Sequence, residues 1–177
     1  KLFKNDYFRQ AVLNTIKFTI CAVILEMLLG LMIAVFINSL KKAQKFMRTL
    51  LLLPYLIPAV TVALSWRMML SSNYGIINQF LSGLGLPYFN WFLDTRTAFW
   101  TILVIDVWQN VPFVFLLLFA SLQSVPEGQY EAARIDGAGA FQQFWYVTIP
   151  NIKNSLALCA LLRTIDTFRL FEKVNVL

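Results

Sequence analysis

Four blocks of the chain stay apolar for longer than a helix in a soluble core requires. The first runs from about Phe18 to Leu40, with Glu26 as its only charge. The second runs from about Thr49 to Leu70 and is interrupted by Pro54 and Pro58. The third covers about Ala98 to Leu122 and holds Asp106, Gln109, Asn110 and Pro112 near its middle. The fourth starts near Ile152 and carries Arg163, Asp166 and Arg169, so it cannot face lipid all round. A hydrocarbon layer about 30 Å thick is crossed by roughly 20 apolar residues in a helix. Each block therefore predicts a membrane span.

Details within the blocks sharpen this reading. Gly30 and Ala34 offer a strip of small residues for close helix packing, as in an ordinary bundle. Two prolines one turn apart predict a bent second span, because each leaves a carbonyl that neighbours must satisfy. Such a bend can line a cavity, serve as a hinge or be purely structural. Residues 72–97 read as a polar connector. Asn73-Tyr74-Gly75 and Gly83, Gly85 and Pro87 are turn signals, while Ile76, Ile77, Phe80, Leu81 and Leu84 recur at helical spacing. Trp91 and Trp100 suit a membrane–water boundary.

Composition agrees. The 177 residues are 59% hydrophobic and 14% charged, with a mean hydropathy of +0.66. Soluble domains are nearer a quarter charged. The net charge of +6 is no nucleic-acid signal. Lys41, Lys42, Lys45 and Arg48 sit together in one short loop whose only aromatic is Phe46, whereas single-strand binding interleaves basic and aromatic side chains. Histidine is absent, which removes Ser-His triads and histidine metal ligation. Cys21 and Cys159 each lie in an apolar block and read as small buried hydrophobes. The chain starts without Met, and no cleavable signal peptide is apparent. It reads as a fragment of a longer protein.

Alternate crossing puts loop 41–48 and segment 121–153 on one side. The first is basic with no acidic residue, whereas 72–97 has only Arg96 and Asp94. The positive-inside rule then makes 41–48 and 121–153 cytoplasmic. Lys1, Lys4 and Arg9 pull the other way and are set aside as following an absent earlier span.

Segment 121–153 is the most informative stretch. Ser124-Val125-Pro126-Glu127 has the form of a capping box with Pro just inside the helix start. A helix is expected to about Asp136, with Gly137 placed to end it. A second short helix, Phe141 to Val147, precedes Thr148-Ile149-Pro150. The unit carries Tyr130, Phe141, Phe144, Trp145 and Tyr146. So much aromatic surface in a cytoplasmic loop marks either a partner interface or packing against the chain's own spans.

Glu131-Ala132-Ala133, then Gly137, then Val147-x-Ile149-Pro150 resembles the EAA loop of ATP-binding cassette importer permeases, with Val and Ile in place of Ile and Leu. Asp136-Gly137-Ala138 and Gln143 strengthen the match. Asn14-Thr15, Arg48 through Pro58, Tyr74-Gly75, Trp108, Pro112 and Tyr130 look like the carbohydrate-uptake, maltose-type branch. The resemblance implies an all-α polytopic helical bundle with a MetI-like permease core. About four spans would lie in this chain and six in the full protein. It further implies a single permease domain over 1–177, with a cytoplasmic coupling loop at 124–150. In that loop Tyr130, Glu131, Ala132, Ala133, Asp136, Gly137 and Ala138 would contact the ATPase.

The implied partners are a second, paralogous permease, two cytoplasmic ATPase subunits, an extracytoplasmic solute-binding protein, membrane lipid and a sugar. Nucleic acid is not among them. The implied place is the bacterial or archaeal cytoplasmic membrane, with several crossings. The chain has no Walker-type phosphate loop. It is therefore expected to be a non-enzyme without cofactor, its ATP and Mg bound by the partner.

Polar groups at membrane depth are functional candidates. Asp106, Gln109 and Asn110 share one helix face, and Arg163, Asp166 and Thr167 share another. Two such faces could line one cavity for sugar hydroxyls, with Tyr55 and Trp108 supplying rings. Alignment with the maltose-type permeases puts Tyr55, Asp106, Gln109, Asn110, Arg163 and Thr167 at or near sugar-contacting positions. The competing reading is an internal Asp106–Arg163 pair that only holds the bundle. Two other functions were weighed. An intramembrane enzyme would need Asp106 and Asp166 as an aspartyl pair, and a secondary transporter or channel would show inverted repeats, of which none is visible.

The orientation predicts a labelling result. With Cys21 and Cys159 replaced, a cysteine at Lys42 should resist an impermeant thiol reagent in intact cells. Ready labelling there would reverse the topology.

Overall fold

A computed structural model describes residues 6–40 and 44–168. Lys41, Lys42 and Arg169 lie outside the described residues. The helices, in order, are α1 (Asp6–Ser39), α2 (Gln44–Leu56), α3 (Ala59–Met69), α4 (Ile76–Gly83), α5 (Thr95–Gln123), α6 (Glu127–Ile135), α7 (Ala140–Gln143) and α8 (Ile149–Thr167). A π-helical turn, Phe144–Thr148, joins α7 to α8.

α1 shows why the fold needs a membrane. Phe18, Ala22, Glu26, Gly30, Ala34 and Ile37 recur about once per turn and are buried. The other faces present Ile16, Ile20, Ile24, Leu28, Met32 and Phe36, all exposed. A helix apolar all round has a lipid-facing side as well as a packed one. The buried stripe lies on α5. Phe18 and Ala22 meet Leu103, Val107 and Val111, and Ala34 and Ile37 meet Val114, Leu118 and Leu122. The contacts rise together along both helices, so α1 and α5 run parallel. Gly30 permits the closest approach. A Cβ there would stand 2.5 Å from Val114 Cγ1 and 3.1 Å from the Phe115 backbone nitrogen. The small-residue strip is thus used for packing inside the subunit.

The second block is broken as the prolines predict. α2 and α3 meet at 87°. Pro58 precedes α3 in an extended conformation, φ −55° and ψ 140°. At one end of the pair, Arg48 lies over the Phe119 ring at 5.1 Å. At the other end, Val62 and Leu70 pack with Ile105. The pair therefore travels along α5, from the level of Phe119 to that of Ile105. Its Arg48 end lies beside the C-terminal end of α5, where segment 121–153 begins, in keeping with a shared side for both.

α8 returns antiparallel to α5. Ile152 belongs to the Leu118–Leu122 cluster, while Arg163 reaches Asp106. The count of spans is roughly consistent with the expected four or so. Among the described residues two helices, Arg9–Ser39 and Thr95–Gln123, are long and apolar enough to cross a membrane, or three with the bent pair. α8 forms where the fourth was expected, but Lys153, Arg163 and Asp166 keep it out of that class. α1 also starts well before the expected Phe18, because helix continues beyond the apolar block.

The connector contains the short helix that its apolar spacing predicts, α4. Asn78, fully buried, pins it. Its amide donates to the carbonyls of Ser71 and Phe89, and its Oδ1 accepts from the Phe89 N–H and the Trp91 indole.

The contact at Gly30 yields a test. Gly30→Ala should destabilise the protein by about 1–3 kcal/mol through overpacking, read as a lowered unfolding midpoint in detergent. A midpoint equal to wild type would mean that α1 and α5 are farther apart than described.

Candidate functional site

Two regions carry the polar chemistry. The first lies inside the bundle, where α1, α5 and α8 converge. Glu26, one turn from Gly30 on the packed stripe of α1, is fully buried, and Arg163 of α8 is 2% exposed. They form a bidentate pair, Nε to Oε2 at 2.6 Å and Nη2 to Oε1 at 2.8 Å. Arg163 Nη1 donates to Asp166 Oδ2 at 2.5 Å, and Nη2 lies 3.8 Å from Asp106 Oδ2. Asp106 Oδ1 accepts from the Asn110 amide at 2.9 Å. Thr167 donates to the Arg163 carbonyl at 2.7 Å. In a medium this dry an isolated charge costs several kcal/mol, so the planar guanidinium must be met by carboxylates.

The polar faces of α5 and α8 thus meet each other, and among the described residues they are buried. Asp106, Gln109, Asn110, Arg163 and Thr167 are between 2% and 6% exposed. None of them lines the surface cavities of about 390, 350, 630 and 670 Å³. Among the described residues Asp106, Asn110, Arg163 and Thr167 belong to one buried network. Asp106 and Asp166 are neighbours after all, yet they bind different nitrogens of one guanidinium, which is not the direct contact an aspartyl pair needs.

Gln109 serves the bend. Its Nε2 donates to the Ile57 carbonyl at 3.0 Å, just before Pro58. This is the partner that a proline-broken span demands. The rings lie apart from the network. Tyr55 stacks on Phe113 at 5.5 Å, and Trp108 meets Trp66 edge-on at 5.6 Å. Trp108 also lines the apolar cavity of about 630 Å³ between α1, α2 and α5, beside Pro54 and Pro112.

The second region is the helix–glycine–helix unit. α6 buries none of its residues. It ends in a complete Schellman motif, with Ala138 N–H donating to the Ala133 carbonyl at 2.9 Å and Gly137 N–H to Arg134 at 3.0 Å. Gly137 has φ +79°, the left-handed conformation its position predicts. The N-terminal end differs from expectation. Pro126 is the N-cap and no side chain caps the helix, since the Ser124 hydroxyl turns back to the Ser121 carbonyl at 2.7 Å. The second short helix also differs. α7 ends at Gln143 and the π turn carries the chain without a break into α8. Pro150 lacks an N–H, and a change of hydrogen-bond register just ahead of it accommodates that loss.

Glu131, Ala132, Asp136 and Gly137 are exposed, and Tyr130, Ala133 and Ala138 are half-buried. Ile135, Phe141 and Tyr146 stand 86%, 76% and 80% exposed. Phe144 and Trp145 instead border the groove against Leu28, Met32 and Phe36 of α1. Sequence reading missed the role of Glu26. Its signal was there: one acid in one apolar block and one deep arginine in another. It also missed Asn78, which carries no such signal.

The model of the family described as "Binding-protein-dependent transport system inner membrane component" matches residues 26–171. The trehalose/maltose transport system permease protein MalF of Thermococcus litoralis is 40% identical over 163 residues, which is 92% of this chain and 55% of that protein. A crystal structure of a bacterial ABC transporter involved in import of the acidic polysaccharide alginate has a TM-score of 0.90 at 25% identity, over 99% of this chain and 63% of that one. A second crystal structure, of a bacterial alginate ABC transporter in complex with an alginate pentasaccharide-bound periplasmic protein, has a TM-score of 0.84 at 25% identity, over 92% of this chain and 57% of that one. The chain thus spans between half and two thirds of the length of these relatives.

The buried network yields a second test. Glu26→Gln leaves Arg163 short of a carboxylate and should cost about 3–5 kcal/mol, seen as depleted membrane protein. With Asp106→Asn present, so that no second buried carboxylate is stranded, Glu26→Leu/Arg163→Met should recover most of the level. Equal depletion in the single and triple variants would deny the pairing.

Proposed function

The chain belongs to the binding-protein-dependent transport system inner membrane component family, and on that premise we propose that it is the permease subunit of an ATP-binding cassette importer for a sugar or sugar-like solute. Residues 124–150 are the element that docks a cytoplasmic ATPase. The observation that carries this reading is an exposed loop helix, closed by a Schellman turn at Gly137, beside large apolar side chains that this chain leaves uncovered. Exposed apolar surface of that kind is the core of a partner interface. Glu131 and Asp136 supply charge at its rim, and Ala132 and Ala133 allow close approach. ATP and Mg belong to the ATPase, since this chain has no Walker-type phosphate loop.

The assembly contains a second permease, a paralogue of this one, two ATPase subunits and an extracytoplasmic solute-binding protein. It sits in a bacterial or archaeal cytoplasmic membrane and crosses it several times. The names of the relatives support a carbohydrate as cargo. Within this chain Tyr55, exposed next to the bend, is the group best placed to touch solute. Asp106, Gln109, Asn110, Arg163 and Thr167 act on transport as the frame that holds the bend and α8 in place.

Two experiments follow. An ATPase subunit should co-purify with the full-length protein, and its consistent absence would remove the coupling reading. Gly137→Val should insert at the normal level and lose uptake, because a β-branched residue at positive φ is strained. Wild-type uptake by that variant would show that the turn is not part of the coupling element.

A further inference from the structure

Half-burial of Tyr130 and Ala133 does not by itself fix α6, which buries no residue fully. Directional bonds from its first turns do. Tyr130 Oη and Thr148 Oγ1 are 3.0 Å apart, and Thr148 Oγ1 donates to the Gln143 carbonyl at 3.4 Å. Either hydroxyl can supply the proton between them. The chain of bonds thus runs from α6 through Tyr130 and Thr148 to the end of α7, at the π turn. A second link lies beside it. The Asn151 amide donates to Gln129 Oε1 at 2.6 Å and to the Val147 carbonyl at 2.7 Å. Thr148 is buried, whereas the Asn151–Gln129 bond is exposed.

We propose that Tyr130–Thr148 and Gln129–Asn151 form a clip that makes α6, the π turn and α8 one lever, so that a displacement of α6 is delivered to Arg163. The inference rests on the reading that residues 124–150 dock an ATPase. α8 carries the motion because an α-helix is stiff over the roughly 22 Å from Thr148 to Arg163, at about 1.5 Å per residue. Its far end is not free to slip. Arg163 is held by Glu26 of α1 and lies within reach of Asp106 of α5. Rotation of α8 must therefore either drag α1 or break the ion pair. Tyr130, Thr148, Gln129 and Asn151 are positioning residues on this view. They touch neither solute nor nucleotide.

The test uses the full-length protein assembled with its partner subunits, with Cys21 and Cys159 replaced by alanine. Nitroxide labels go on cysteines at Arg134, on α6, and Leu158, on the exposed side of α8, and their separation is measured by pulsed spin resonance. In the wild type the distance should be narrow and unchanged between nucleotide-free and ATP–vanadate states. In Thr148→Val/Asn151→Ala, which leaves the exposed face of α6 unaltered, it should broaden and shift with nucleotide, while the ATPase still co-purifies. Thr148→Ser, which keeps the hydroxyl, should behave as wild type. A distribution as narrow in the double variant as in the wild type overturns the clip. So does loss of the ATPase from the double variant, which would make these residues part of the dock. Failure of the ATPase to join even the wild type would instead sink the coupling reading, and the nucleotide-free distances would still judge the clip.

Discussion

The bidentate pair between Glu26 and Arg163 is the constraint on which the membrane part of this structure depends. The two residues are 137 positions apart, on helices that would otherwise meet through apolar side chains with little preference for register. Apolar packing in lipid has no hydrophobic drive behind it, because the alternative neighbours are equally apolar. A fork-to-fork ion pair does distinguish registers. Sliding α8 by one turn along α1 would strand two charges at once, and each stranded charge costs several kcal/mol. The pair need not add much net stability over two well-packed apolar residues. What it supplies is a single permitted alignment.

α5 turns that alignment into a bundle. It receives α1 on one side through Gly30 and Ala34, the bent α2–α3 pair on another, and α8 on a third. Its polar residues are distributed accordingly. Asp106 and Asn110 face the ion pair, and Gln109 faces the carbonyl before Pro58. Asp106 and Gln109 each meet a group of another helix, and Asn110 braces Asp106 from within α5. This is the usual condition for polar or broken backbone at membrane depth. A helix with this much polarity is admissible in the bilayer only because its neighbours were built to match.

Much of this was legible in the sequence. The long apolar blocks, the bend at Pro54 and Pro58, the short helix after Gly75 and the left-handed turn at Gly137 all rest on local signals, and each was found. What could not be read was pairing across distance. Glu26 was visible as a lone acid, but nothing local says whether Asp106 or Glu26 takes the arginine. The same gap left open whether the polar faces of α5 and α8 line a cavity or close on each other. Ser124 misled for another reason. Its spacing to Glu127 fits a capping box, yet Pro126 takes the cap and the hydroxyl finds a carbonyl of the preceding helix instead. Fold class is written in periodicity, whereas the site is written in which faces meet.

The two polar regions differ in how their parts are held, and that difference bears on the proposed function. In the bundle, burial and charge pairing fix every helix, so α1, α5 and α8 resist independent motion. In the loop, α6 is largely at the surface, joined to its neighbour by a few hydrogen bonds and by half-buried Tyr130 and Ala133. Such bonds are individually worth about 1 kcal/mol, and the two side by side, one part-buried, set the geometry of α6 against α8. A force applied at the exposed faces of α6 is therefore met first by these bonds and then by the ion pair at the other end of α8. An element meant only to cap a bundle would gain from burying Ile135, Phe141 and Tyr146. Leaving them outside a loop so fully braced within itself makes sense when a second protein covers them and moves them.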